Sequence, residues 1–121
     1  MPDSPRVHVT SEKQDSQTQA LLQAVSVVDK DTVWVSGHEG TYLLTLDGGL
    51  NWVARTLTGG ETLEFRDVEA FNARTAYLLS SGTGNLSRIY RTDDGGSSWR
   101  LQFNMDYPEG FLDCMAFWDE N

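Results

Sequence analysis

The sequence predicts an all-β chain built from antiparallel four-stranded units, and three observations carry that prediction. Thr45-Leu46-Asp47-Gly48-Gly49-Leu50-Asn51-Trp52 recurs 47 residues later as Thr92-Asp93-Asp94-Gly95-Gly96-Ser97-Ser98-Trp99. The segments around both copies are short runs rich in β-branched and aromatic residues, punctuated by Gly, Asp and Asn, which is the pattern of strands and tight turns. Those runs also repeat, at an offset of 43 residues before the loop Gly82-Thr83-Gly84-Asn85 and 47 after it. The shared motif is a hydroxyl residue, any residue, Asp, Gly, Gly, two residues and Trp. A short carboxylate folds back onto N–H groups of its own turn, and glycines take positive φ at no steric cost. The Trp carries a large apolar ring into the next strand, where it can pack on a neighbouring unit.

The elements follow in order. Residues 1–20 form an N-terminal segment in which only Arg6-Val7-His8-Val9-Thr10 alternates like a short strand, and Ser11 to Gln19 has no apolar face and reads as a linker. In a first unit, 21–60, Leu22 to Val28 reads as a strand closed by the turn Asp29-Lys30-Asp31. Thr32 to Ser36 is the second strand, turned by Gly37-His38-Glu39-Gly40. Thr41 to Leu46 is the third, the motif turns it, and Asn51 to Leu57 is the fourth. A second unit, 61–104, repeats the plan with Phe65 to Phe71, Thr75 to Leu79, Arg88 to Thr92 and Ser98 to Phe103. Residues 105–121 open a third: Phe111 to Phe117 stands 46 residues after Phe65 to Phe71 and is expected to be its first strand.

Self-similarity at about 40–50 residues with four strands per unit is the signature of a β-propeller blade, and closed propellers need roughly four to eight blades. Two blades and the start of a third are therefore expected to be the N-terminal part of a longer protein, incomplete in one chain. The motif resembles the Asp-box, or BNR, repeat of sialidases, sortilin-type receptors and photosystem II assembly factors of the Ycf48 type. Phe65-Arg66-Asp67-Val68 and Gly110-Phe111-Leu112-Asp113-Cys114-Met115-Ala116-Phe117-Trp118-Asp119 resemble bacterial Ycf48-like propellers. These are often labelled "oxidoreductase" without demonstrated chemistry, and relatives of this kind are often exported. The resemblance spans about residues 18 to 121 and specifies architecture far better than function.

Composition narrows the function classes. At 121 residues, with 11 Gly, three Pro and 39% hydrophobic residues, the chain suits one turn-rich folded unit rather than a disordered one. Eighteen acidic against nine basic residues give a net charge of −9, which argues against nucleic acid or an anionic membrane as partner. No apolar run reaches the roughly 20 residues of a membrane helix, so no membrane insertion is expected. The start Met1-Pro2-Asp3-Ser4-Pro5 lacks the basic and apolar regions of a signal peptide, which leaves localisation unassigned. Cys114 is the sole cysteine and forms no internal disulfide.

Candidate sites divide by end of the sheet. Thr45, Asp47, Gly48, Gly49 and Trp52, with Thr92, Asp94, Gly95, Gly96 and Trp99, are read as structural turn and packing residues. Asp29-Lys30-Asp31 and Asp93-Asp94-Gly95 lack the spaced ligands and closing Glu of a calcium loop, so no metal is assigned. Gly82-Thr83-Gly84 is not a phosphate loop, no cofactor is assigned, and Asn85-Leu86-Ser87 is a bare glycosylation sequon. In blade geometry the turns between first and second strands share an end with the Asp-boxes. The other end, where the resemblance implies that ligands bind, would carry His38, Glu39, Glu61, Glu64, Asn85, Asp106 and Glu109. Inner-strand starts would add Arg66, Asp67 and Asp113, with Arg66–Asp67 as the best polar pair, read as a structural salt bridge.

Three functional classes follow. The first is a protein-binding or assembly propeller, the reading favoured for a longer parent. The second is a part of a sialidase-like glycoside hydrolase, which needs an arginine cluster that only Arg66 is placed to join, and no catalytic residue is assigned. The third, favoured for the chain as it stands, is a fragment whose repeats self-associate. Strand 111–117 has no partner strand to follow it and would leave a bare edge, so a closed homo-oligomer, dimer or trimer, is expected.

Overall fold

The computed structural model describes residues 13–106 together with Gly110, Leu112 and Met115. Eight strands run in order: β1 Leu22–Val27, β2 Val33–Gly37, β3 Thr41–Thr45, β4 Val53–Thr56, β5 Glu64–Ala70, β6 Ala76–Ser81, β7 Arg88–Thr92 and β8 Arg100–Asn104. They form two four-stranded antiparallel meanders, β1-β2-β3-β4 and β5-β6-β7-β8, the all-β blades expected. Expected strand 6–10, and expected strand 111–117 apart from Leu112 and Met115, lie outside the described residues, and Asp113 with them.

The strand limits differ from the sequence reading where side chains capture backbone. The fourth strands begin at Val53 and Arg100 rather than at Asn51 and Ser98. Asn51 and Ser98 are still held in the Asp-box turns, their N–H groups donated to Asp47 and Asp94. The loop between β6 and β7 contains a short 3-10 turn, Gly84–Leu86. Both inner strands carry an irregularity at the same repeat position, between Leu22 and Ala24 and between Phe65 and Asp67. A bulge there lets an inner strand bend and re-aims its side chains.

The two blades pack face to face, most closely at their inner strands, β1 and β2 against β5. Alternation along β2 and β3 sends Trp34, Ser36, Tyr42 and Leu44 to one face. Trp34 is fully buried, and with Tyr42 it joins Phe65, Val68, Ala76, Leu78 and Tyr90 of blade 2 in a single core. Trp99 closes that core from its outer side, edge-on to Trp34 at 6.1 Å and to Tyr42 at 5.0 Å. Three polar side chains of blade 1 bond across the interface, whereas Trp99 Nε1 is buried in it with no hydrogen-bond partner among the described residues. Ser36 Oγ donates to the Phe65 carbonyl at 3.0 Å, and Ala70 N–H donates to Ser26 Oγ at 3.0 Å. Trp34 Nε1 donates to the Asn72 carbonyl at 3.1 Å. Unpaired, such groups would each cost roughly 1–3 kcal/mol, so the bonds define how the blades sit together.

Beyond blade 2 the chain turns back onto it. Gly84 N–H donates to the Gly110 carbonyl, Ser81 Oγ to the Leu112 carbonyl, and Met115 N–H to Asp67 Oδ2.

Candidate functional site

The Asp-boxes are two copies of one hydrogen-bonded turn. Thr45 Oγ1 accepts the Gly49 N–H at 2.9 Å and donates to Asp47 Oδ1 at 2.9 Å. Asp47 Oδ1 also accepts the Asn51 N–H, and Oδ2 accepts Asn51 Nδ2 at 2.8 Å. In the second copy Thr92 Oγ1 accepts Gly96 N–H and donates to Asp94 Oδ1, while Ser98 gives Asp94 its N–H and, at 2.6 Å, its hydroxyl. Hydrogen bonds to the charged form hold both carboxyls below their ordinary range: Asp47 chiefly through the Asn51 side chain, Asp94, at about 2, chiefly through the Ser98 hydroxyl.

Each box is tied to the neighbouring turn of its own blade. Gly48 N–H donates to the Asp31 carbonyl and Gly95 N–H to the Arg74 carbonyl, both at 2.9 Å, so the first-to-second turns and the Asp-boxes share one end. Those turns have caps of their own that the sequence reading did not single out. Asp29 Oδ1 accepts the N–H groups of Asp31 and Thr32, and Asn72 Oδ1 those of Arg74 and Thr75. The signal was present in the sequence, since Asp29 and Asn72 are related by the same 43-residue offset as the strands around them.

The motif's aromatic residue behaves differently in the two copies. Trp99 packs between the blades, whereas Trp52 is half-buried and donates Nε1 to Gln14 Oε1 at 2.8 Å. A charged network on the outer face of blade 2 was also missed. Arg91 spans Asp93 and the Tyr77 hydroxyl, and Arg100 meets Asp93 at 2.6 Å. Arg91, before all other effects, lowers the Asp93 pKa.

At the opposite end the second-to-third loop of blade 1 meets the linker between blades, through Gly40 N–H to the Leu63 carbonyl and Leu57 N–H to the Gly40 carbonyl. Glu39, with φ +59°, makes the tight corner there and is exposed. Glu64 is the hub. Its Oε1 accepts Arg66 Nε at 3.1 Å and lies 3.3 Å from His38 Nε2, close enough to pair with a protonated imidazole but without hydrogen-bond geometry. The Arg66 hydrogen bond is the main cause that lowers the Glu64 pKa.

The expected Arg66–Asp67 pair is thus replaced by Arg66–Glu64, while Asp67 accepts from Met115 N–H. Arg66 stands at the bulge of β5, where the regular alternation of side chains is broken and its direction is re-aimed. Arg88, at the same end, donates to the Asn85 carbonyl and the Tyr90 hydroxyl rather than joining Arg66. Among the described residues no group of three His, Cys, Asp or Glu could hold a metal ion.

Comparison with known proteins gives this geometry a family. The model of the family described as "Photosynthesis system II assembly factor YCF48" matches residues 6–111. The photosystem II assembly lipoprotein Ycf48 of Synechococcus sp. (strain CC9902) is 32% identical over 66 residues, 54% of this chain and 19% of that protein. A solved YCF48 bound to D1 peptide superposes with a TM-score of 0.58 at 27% identity, over 69% of this chain and 27% of the other. YCF48 from Cyanidioschyzon merolae, with a TM-score of 0.56 at 23% identity over 74% and 29%, shares the fold. The chain thus spans under a third of the length of each of these relatives. With the family model matched along most of its length and its two blades superposed on solved YCF48 propellers, the chain belongs to the YCF48 family of photosystem II assembly factors.

Proposed function

We propose that this chain contributes blades to a non-catalytic propeller that docks a protein segment at the end opposite the Asp-boxes. The observation that carries the reading is the likeness to a YCF48 bound to D1 peptide, within a family of assembly factors. The chemistry of that end supports it. Glu64, Arg66 and His38 gather a carboxylate, a guanidinium and an imidazole, each about one-third exposed, where the inner strand of blade 2 begins. Such a mixed polar set suits the backbone and charged groups of a peptide better than it suits an acid–base pair acting on a sugar. Titration of a fluorescently labelled D1 peptide, followed by anisotropy, tests it. Saturable binding that weakens about tenfold, roughly 1.4 kcal/mol, in Arg66→Ala supports docking at this end. No binding, or binding that ignores both Arg66→Ala and His38→Ala, removes the reading.

A second reading has its own observation. Blade 1 is apolar on both faces: opposite Trp34 and Tyr42 stand Val25, Val27, Val33 and Val35, of which Val25 and Val27 are 63% and 67% exposed. In blade 2 the repeat counterpart of Val25 is Val68, which is 2% exposed beneath blade 1. The open face is therefore shaped to receive another blade, and we infer that further copies of the chain supply it, as a homo-oligomeric dimer or trimer. Light scattering should give a multiple of 13.5 kDa, and Val25→Asp with Val27→Asp should reduce it to a monomer. A wild-type monomer at tens of micromolar would end this reading.

A further inference from the structure

The blades separate toward their outer strands at the Asp-box end, and we infer that the groove between them there is a second docking site, for an acidic protein segment bearing apolar side chains. The rows Trp34–Leu44–Val53 and Ser36–Tyr42–Arg55 cross the face that blade 1 turns toward blade 2. Close packing covers their inner members, but β4 makes no comparable contact with blade 2. What remains is a groove of about 460 Å³ with Tyr42, Leu44, Leu46 and Val53 along one side and the β5–β6 turn with the second Asp-box along the other. Leu46 and Val53 are 59% and 52% exposed, so the groove offers apolar surface to whatever enters it.

The charges decide the class of occupant. Arg55 reaches the groove from β4 and Arg74 from the β5–β6 turn. Both are exposed, and neither has an ion-pair partner among the described residues. In a chain of net charge −9, where Arg91 and Arg100 each engage a carboxylate, two unengaged guanidiniums around one apolar groove are a concentrated exception. Asp47 also lines the groove, but its oxygens are taken up by Thr45 and Asn51.

The repeat shows that the fold does not require these cations. The Asp-box residues recur in both blades, whereas the repeat counterparts of Arg55 and Arg74 are Gln102 and Asp31. Guanidinium forks bind carboxylates in a bidentate manner, and a groove of this volume takes an apolar side chain or two with the adjoining backbone. A segment alternating acidic and apolar residues satisfies both features. The site lies at the opposite end from Glu64 and Arg66 and does not depend on docking there.

The test is a titration of the ¹⁵N-labelled chain with an acetylated, amidated peptide alternating glutamate and leucine, and with its lysine–leucine counterpart. The expected result is saturable shifts of the Leu46, Val53 and Gly95 amides with the glutamate peptide alone. Arg55→Glu combined with Arg74→Glu should weaken binding about tenfold or more, while Arg88→Glu, at the other end, leaves it unchanged. Since both groove arginines are exposed and unpaired, the double variant should keep the dispersed spectrum of a folded chain. The inference is overturned if the glutamate peptide gives no saturable shift at about millimolar concentration, or if the double variant binds it as well as wild type. It is also overturned if phosphatidylglycerol vesicles bind through Arg55 and Arg74 while the peptide does not.

Discussion

Tyr42 of blade 1 donates its hydroxyl to the Gly96 carbonyl of the second Asp-box at 2.6 Å, so the turn that closes one blade is latched by its neighbour. The ring that makes this bond also stacks on Trp34, at 6.5 Å between centroids, and receives the Trp99 edge. A local turn motif and the blade interface are therefore one structure.

Tyr42→Phe keeps the ring and removes the latch. Tyr42 is 4% exposed, and the change leaves the Gly96 carbonyl without its partner. The expected loss is about 1 kcal/mol, read as a lower urea midpoint at unchanged slope. An unchanged midpoint would mean that the hydroxyl does not hold the blades.

Gly96→Ala should cost more than Gly59→Ala. Both glycines have φ near +90°, where a side chain is strained by roughly 1–2 kcal/mol. A Cβ at Gly59 meets nothing within 4 Å, whereas one at Gly96 would stand 2.8 Å from Tyr42 Cε2, inside the packed interface. Equal melting temperatures for the two variants would contradict the close approach.

Asp94 makes stability depend on pH. A carboxyl held at about 2 in the folded chain, against 3.8 ordinarily, stabilises the fold above the ordinary value, and that contribution disappears as pH falls through about 2. Wild-type stability should therefore drop between about pH 4 and pH 2. Asp94→Asn should show a shallower drop there and melt lower at pH 7, by on the order of 5 °C. Thermal melts in which wild type and variant run parallel across that window would count against the carboxylate's role.

The two motif tryptophans should differ in weight. Trp99→Ala removes a ring from between the blades and is expected to cost about 3 kcal/mol, while Trp52→Ala, which loses a half-buried ring and its bond to Gln14, should cost under about half of that. Denaturant titrations showing equal losses would argue that the motif alone, not the neighbour it meets, sets the contribution.

The sequence by itself determined the strands, the turns between them and their grouping in fours. Those depend on interactions a few residues long: alternation along a strand, positive φ at Gly, and an Asp that caps the N–H four residues on. Asp47–Asn51 and Asp94–Ser98 are bonds of this kind, legible once the spacing is seen. The same locality explains why the fourth strands were expected two residues early: spacing marks the cap but does not show that the capped residue stays in the turn.

Only the tertiary structure decided which of two identical motif tryptophans joins the core, and which carboxylate holds Arg66. Trp52 and Trp99 occupy equivalent positions, yet only Trp99 has blade 1 beside it. Arg66 was expected to pair with the adjacent Asp67, but Arg66 stands at the bulge of β5, which re-aims it, and it donates to Glu64 while Asp67 accepts the Met115 N–H. The groove between Arg55 and Arg74 is likewise a product of packing, because eighteen residues of chain separate two cations that only the meeting of two sheets brings to one place.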